Sequence, residues 1–274
     1  MADEPSCELL TTNQENIMQL GSDPEYPVYK DGQLTMAIGQ VGGSKTHPLP
    51  MSTGFVQEDG VMVEINPPPA SSEDEFVTNT LATYNALQEH LTGKGLSCLA
   101  QSCVHFTREE LMAAPSAMKF GCLPERDGYT GHNIKMPSPY TTLRVAGGHI
   151  HIDHPVALHM PHTVIQACDL YLGLPSLLVD KAGNERRELY GKPGSFRHKP
   201  YGVEYRVLSN FWTTNEAQIR WVWQAVGNAI QHVSDMRYIP TTIAHVIAQG
   251  DATAAATLME RHSIPVCPEQ GASA

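Results

Sequence analysis

No stretch of this chain is apolar for the roughly 20 residues that a membrane-crossing helix needs, and its opening, MADEPSCELL, is acidic with no apolar run. A membrane span and a secretory leader are therefore not expected, and a cytoplasmic location is. Cysteine is scattered: Cys7, Cys98, Cys103, Cys122, Cys168 and Cys267 form no Cys-x-x-Cys pair. That argues against a thiolate zinc site and for reduced thiols. Basic residues are outnumbered, 18 Lys plus Arg against 29 Asp plus Glu, for a net charge of -11. General electrostatic grip on nucleic acid is not expected of such a chain, although a local basic patch from Arg186 to Lys199 suits a nucleotide. At 274 residues and 41% hydrophobic, the chain is long enough to bury a substantial core.

Strand and helix signals alternate without a repeating unit. After Pro67 to Pro69, Ser71 and Ser72 offer a cap, Glu73 to Glu75 place negative charge in a first turn, and Val77, Leu81, Tyr84, Leu87 and Leu91 form a helical stripe. A second helix is predicted from Pro161 through Val164, Ile165, Cys168 and Leu172 to a stop at Gly173-Leu174-Pro175. A third follows Asn215, with Ile219, Val222, Val226, Ile230 and Val233 on one face. Thr241 to His262 reads as two short helices divided at Gly250-Asp251, with a disordered tail from about Pro265. Gly121 to Tyr140, rich in Gly, Pro and polar residues, reads as a long functional loop over a site.

The densest signal is RRELYGKPGSFRHKPYGVEYRVLSNFW, Arg186 to Trp212. A strand is predicted from Val203 to Leu208. Because strand side chains alternate, Glu204 and Arg206 share one face, about 7 Å apart, while Val203, Tyr205 and Val207 take the other. Val61 to Ile65 places Glu64 opposite Val63 and Ile65; Gly148 to Asp153 places His149, His151 and Asp153 opposite Ile150 and Ile152. Gly21-Ser22-Asp23-Pro24-Glu25 adds two carboxylates at the same spacing. Carboxylates with imidazole suit Mg2+ or Mn2+ better than a thiolate-type zinc site.

The run GSDPE, VEINPP, GGHIHI and then the long block ending SNFW resembles the phage-encoded carboxylate-amine (COOH-NH2) ligases of type 2, a group with the glutamine synthetase catalytic fold that is related to the glutamate-cysteine ligases. The resemblance runs from about Asn16 to Val233. It implies an α+β domain with a curved, largely antiparallel sheet backed by helices, spanning residues 16–234. Before it lies a flexible segment, 1–15, and after it a helical extension, 235–264, and a tail, 265–274. It further implies ATP with Mg2+ or Mn2+ as cofactors, a carboxylate and an amine as substrates, and an amide or peptide bond formed through an acyl phosphate.

Residue by residue, the resemblance gives metal-ligand roles to Asp23, Glu25, Glu64, His149 and Glu204. It places His151 near nucleotide phosphate, Arg206 on the acyl substrate, and Arg187 and Arg197 on phosphates; adjacent Arg186 competes with Arg187 for that role. Lys192 joins them as part of the basic, glycine-bearing loop, and Asp153 is a candidate acceptor of the amine's proton from its position alone. The further carboxylate that glutamine synthetases carry near Glu64 has no assigned match, with Glu58 and Asp59 the nearby candidates.

Each signal has a bland reading when taken alone. Asp23-Pro24-Glu25 reads as a turn, the two histidines as two of 13, and Glu204 with Arg206 as a solvated edge-strand pair. Together they describe a polar sheet face that is costly to bury without a charged ligand. A metal-dependent hydrolase and a non-catalytic nucleotide- or protein-binding relative stay open as alternatives.

Overall fold

The structure, a computed structural model, describes residues 17–118, 125–135, 138 and 141–269. Its strands pair antiparallel throughout the described sheets, and helices cover one side, an α+β arrangement. Five strands form the sheet that matters most, in the order Gln19–Ser22, Ile150–Asp153, Gly202–Tyr205, Ser195–Lys199 and Arg126–Asp127. Four more pair in the order Glu25–Tyr26, Met62–Asn66, Phe55–Asp59 and Leu49–Pro50. The chain crosses from the first sheet to the second at Asp23-Pro24. There the Pro24 carbonyl accepts from Ile65 N–H and Glu25 N–H donates to the Gly147 carbonyl, which ties the two sheets together.

Alternation sorts the central strands cleanly. Ile150, Ile152, Val203, Tyr205 and Phe196 all point to the helical side and are fully buried. Helices Pro161–Cys168, Leu174–Val179 and Glu216–Ser234 supply the other half of that core, through Val164, Ile165, Leu174, Ile219, Val222 and Val226. Each such aliphatic side chain contributes on the order of 2 kcal/mol by leaving water. Ser72 caps helix Glu73–Thr92 and Asn215 caps helix Glu216–Ser234, each accepting from a backbone N–H in the first turn, so both predicted starts hold. Gly250, in the left-handed region, ends helix Ile243–Gln249, and Asp251 caps Ala252–His262, as Gly250-Asp251 predicts.

Three local expectations change. The helix from Pro161 does not stop at Gly173-Leu174-Pro175: a π-turn, Asp169–Gly173, carries it into Leu174–Val179, where Pro175 sits in the first turn and its missing N–H costs little. The strand at Gly202 ends at Tyr205 rather than Leu208, because the carbonyls of Arg206 and Val207 accept from the Arg186 guanidinium instead of a neighbouring strand. The tail does not begin at Pro265. Cys267 is buried and the Pro268 carbonyl accepts from Gln218, so these two residues pack on the core while Pro265, Val266 and Glu269 are exposed. Of the loop expected over Gly121 to Tyr140, Arg126–Asp127 is an edge strand, and residues 119–124, 136–137 and 139–140 lie outside the described residues, as do 1–16 and 270–274.

Candidate metal centre

Strand register builds the polar face. His151 stands opposite Glu204, and Glu204 opposite Arg197, so the three form one row across neighbouring strands. Two residues along the chain, Lys199 shares Arg197's face and reaches Glu204 Oε2 at 2.7 Å, while Arg197 lies 3.5 Å from Oε1. Arg206 also pairs with Glu204, and its Nε donates to Glu125 at 2.5 Å. Glu204 is fully buried. Its negative charge is thus balanced by guanidinium and ammonium groups rather than by water, an arrangement that is costly to break from one side.

Asp23 closes this cluster from the crossing between the sheets. Its carboxylate lies 3.0 Å from His149 Nδ1 and 3.3 Å from His151 Nε2. Burial alone would raise Asp23, but the two imidazoles more than offset it and hold the carboxyl well below the ordinary range. His149 itself is buried, and its Nε2 has no hydrogen-bond partner among the described residues. The ring leaves no room for a side chain at Gly147, where a Cβ would come within 2.2 Å of Nε2. Asp23, His149 and Glu204 together offer ligand atoms within 4.8 Å of one another. One imidazole with two carboxylates is a donor set that fits Mg2+ or Mn2+.

A second cluster lies where the four-stranded sheet meets the first. Glu25 and Glu64 are cross-strand partners, and Asp59 joins them with ligand atoms within 4.8 Å. Glu64 accepts from Gln57 at 2.5 Å and Asn66 at 3.1 Å, and Glu25 accepts from Gly147 N–H at 2.8 Å. Burial, then repulsion from Asp23, Asp59 and Glu25, pushes the Glu64 carboxyl well above its ordinary value. Burial also raises Glu25, against the pull of His149. Lys45, 3.0 Å from Asp59, is the cation at hand. Two buried carboxyls raised on folding, with a third carboxylate beside them, describe a place that a divalent ion suits.

Of the two candidate carboxylates near Glu64, Asp59 is the one that joins its cluster. Its rival Glu58 is occupied elsewhere, accepting from the backbone N–H groups of Gly39, Val41 and Gly42. Lys199 was missed, although strand alternation from Arg197 signals it. Glu125 and Tyr201 were also missed, and neither stands in a pattern that a sequence reveals. Tyr201 lies with its hydroxyl 2.5 Å from His151 Nδ1. Burial and the nearby carboxylates push its phenol above the ordinary value, and the opposite ring nitrogen of His151, Nε2, lies 3.3 Å from Asp23. His151, Asp153, Tyr201 and Asp23 line a cavity of about 330 Å3 whose other walls are Leu20, Asn66, Pro67 and Pro69.

Two expected members of the phosphate group stand apart. Arg187 lies in helix Gly183–Leu189, donating to Asn184 at 2.8 Å and to Ser176 at 3.4 Å, and it lines a different cavity with Lys192. Arg186 is a structural staple: buried, it donates to the carbonyls of Ala146, Val207 and Arg206. Together with Arg206 it stacks on Tyr190, at 5.3 and 5.2 Å from the ring centre.

No curated protein matches the chain significantly. Residues 136–253 match the family described as phage phiEco32-like COOH.NH2 ligase-type 2. That span contains His149, His151, Arg197, Glu204 and Arg206, while Asp23, Glu25, Asp59 and Glu64 reach the same face from outside it. Over residues 136–253, short of half of the chain, the sequence is similar to the phage phiEco32-like COOH.NH2 ligases of type 2, the family that its sequence blocks resemble.

Proposed function

We propose that the protein is an ATP-dependent carboxylate-amine ligase with a glutamine synthetase-like catalytic arrangement, which activates its acid as an acyl phosphate. The observation that carries this reading is the row His151, Glu204, Arg197 with Asp23 at one end and Arg206 beside it, where cation ligands adjoin guanidinium groups on one buried face. A hydrolase using water alone has no need of Arg197, Lys199 and Arg206 around its metal ligands.

Mg2+ or Mn2+ held by Asp23, His149 and Glu204, and by Glu25, Asp59 and Glu64, would neutralise phosphate charge. Arg197 and Lys199 already turn toward Glu204 and would share their charge with the transferring phosphoryl group. Arg206, with Glu125 fixing its Nε, would hold the acid so that a carboxylate oxygen attacks the γ-phosphorus and ADP departs. Tyr201 orients His151 toward the same phosphates. The cavity beside them, apolar at Leu20, Pro67 and Pro69, suits a flat nucleotide base. Attack of the amine nitrogen on the acyl carbon then expels phosphate and forms the amide. The proton released by the amine passes to a carboxylate, for which Asp153 on the wall of that cavity is a candidate.

Incubation with ATP, Mg2+ and pooled carboxylic acids, with hydroxylamine as the amine, tests the reaction class. ADP and phosphate are expected in step with a hydroxamate. Release of AMP and pyrophosphate, or amide cleavage at full rate without nucleotide, contradicts the acyl-phosphate route.

A further inference from the structure

A cavity of about 400 Å3 lies beyond the cation face, with Thr130, His132, Asn133, Arg187, Lys192 and Ala248 in its wall. It shares Ile134 and Lys192 with a narrow cleft of about 10 Å3 whose wall includes Glu125. Glu125 is the partner of Arg206, so this cleft lies between the cation face and the cavity.

Its charge is unusual in so acidic a chain. Arg187 is 7% exposed, its Nε is buried without an acceptor, and no carboxylate pairs with it among the described residues. Lys192 is exposed and forms no ion pair among the described residues. Asp127, the carboxylate in the wall, is already engaged: it accepts from Tyr129 N–H at 2.8 Å and from the Thr130 hydroxyl at 3.0 Å. A buried guanidinium with an unmade hydrogen bond is destabilising, and an anion accepting from it removes that cost. Burial lowers Arg187 from its ordinary value, against the nearby Asp180 carboxylate, which raises it. His132 and Asn133 add donors at the rim, and Ile134 and Ala248 give apolar walls beside them.

We propose that this cavity binds an anionic group, a carboxylate or a phosphate, carried by one reactant at a distance from its reacting centre. The assignment to a reactant rests on the ligase reading; the anion site does not. Arg187 supplies a buried charge and the Nε–H that lacks an acceptor, and Lys192 the mobile charge.

The test uses the full chain without nucleotide or divalent metal, titrated with inorganic phosphate and, separately, with succinate, against neutral succinamide. Calorimetry reads affinity, and the His132 ring resonances report binding at this cavity. Saturable binding of one or both anions and none of succinamide is expected. Phosphate alone marks a phosphate-bearing reactant, and succinate alone a carboxylate-bearing one. Lys192→Gln, at an exposed position, should weaken binding by about tenfold, and Arg187→Lys, which keeps the charge and loses the Nε–H, should also weaken it. The proposal is overturned if neither anion moves His132, or if both variants bind as tightly as the wild type. Anion binding that persists while no acid supports ADP release overturns the ligase reading alone.

Discussion

Glu204 and Glu64 are both buried carboxylates on one polar face, yet their surroundings are opposite. Glu204 sits among Arg206, Lys199 and Arg197, with His149 Nδ1 3.8 Å away. Glu64 sits among Glu25 and Asp59, with amides as its hydrogen-bond donors and Lys45 paired with Asp59 beside it. The first cluster is balanced from within, so its carboxylate is part of what holds the sheet together. The second is unbalanced, so its charge state depends on what binds there. Two ligand sets that read alike in sequence thus answer differently to mutation, pH and cations.

The largest expected effect is at the balanced cluster. Glu204→Ala leaves Arg206 and Lys199 facing a buried gap, so a loss of about 3–5 kcal/mol in urea unfolding is expected, together with loss of turnover. Unchanged unfolding in this variant would show that the balance around Glu204 is not structural.

Asp169 comes next, and it separates pH effects at the cation face from those behind it. Fully buried in the π-turn, its carboxylate accepts from Tyr205 at 2.7 Å, Gly194 N–H at 2.7 Å and Tyr129 at 3.0 Å. Burial, against these three donors, pushes it up to about 7. A carboxyl raised on folding contributes stability that is full below its unfolded value and is lost as pH rises through the folded one. Metal-free protein should therefore lose stability from about pH 4 to about pH 7, and Asp169→Asn should flatten part of that slope. Thermal unfolding in chelator across that range measures it. An identical slope in the variant would move the effect to other groups.

Glu64→Gln should have the opposite sign to Glu204→Ala. Glu64 is raised well above its ordinary value, so the wild type is penalised as pH climbs toward that value, and the neutral amide is not. In chelator at about pH 8 the variant should gain on the order of 1 kcal/mol, while its Mn2+ affinity falls. Destabilisation at that pH would mean that the second cluster is balanced after all. The smallest effect is at Lys45, whose side chain is half exposed: Lys45→Ala should change stability by less than about 1 kcal/mol but tighten Mn2+ binding a few-fold, since ammonium and metal compete for Asp59.

How much of this was legible in the sequence follows from what each residue depends on. His149, His151, Glu204 and Arg206 were readable because a strand has a period of two residues, and one apolar face fixes the other. Glu73–Thr92 and Glu216–Ser234 were readable from their caps and stripes for the same local reason. Asp59 was only a candidate, because its place beside Glu25 depends on strand pairing across the sheets and not on its own neighbours. Glu125 meets Arg206 from 81 positions away, a contact that no spacing encodes. Arg186 and Arg187 are adjacent in sequence and face different tasks because a helix, Gly183–Leu189, turns them apart. The π-turn at Asp169 is invisible to a rule that stops helices at Gly-Leu-Pro, since it preserves the helix by changing its pitch locally.

The central claim is that the balanced and the unbalanced cluster each take a divalent cation. Calorimetric titration of Mn2+ into wild type, Glu204→Gln and Glu64→Gln, each checked for folding, tests it most directly. The wild type should bind one ion at each cluster, and each variant should lose or greatly weaken one of them and keep the other. Full stoichiometry and unchanged affinity in both variants would contradict the account.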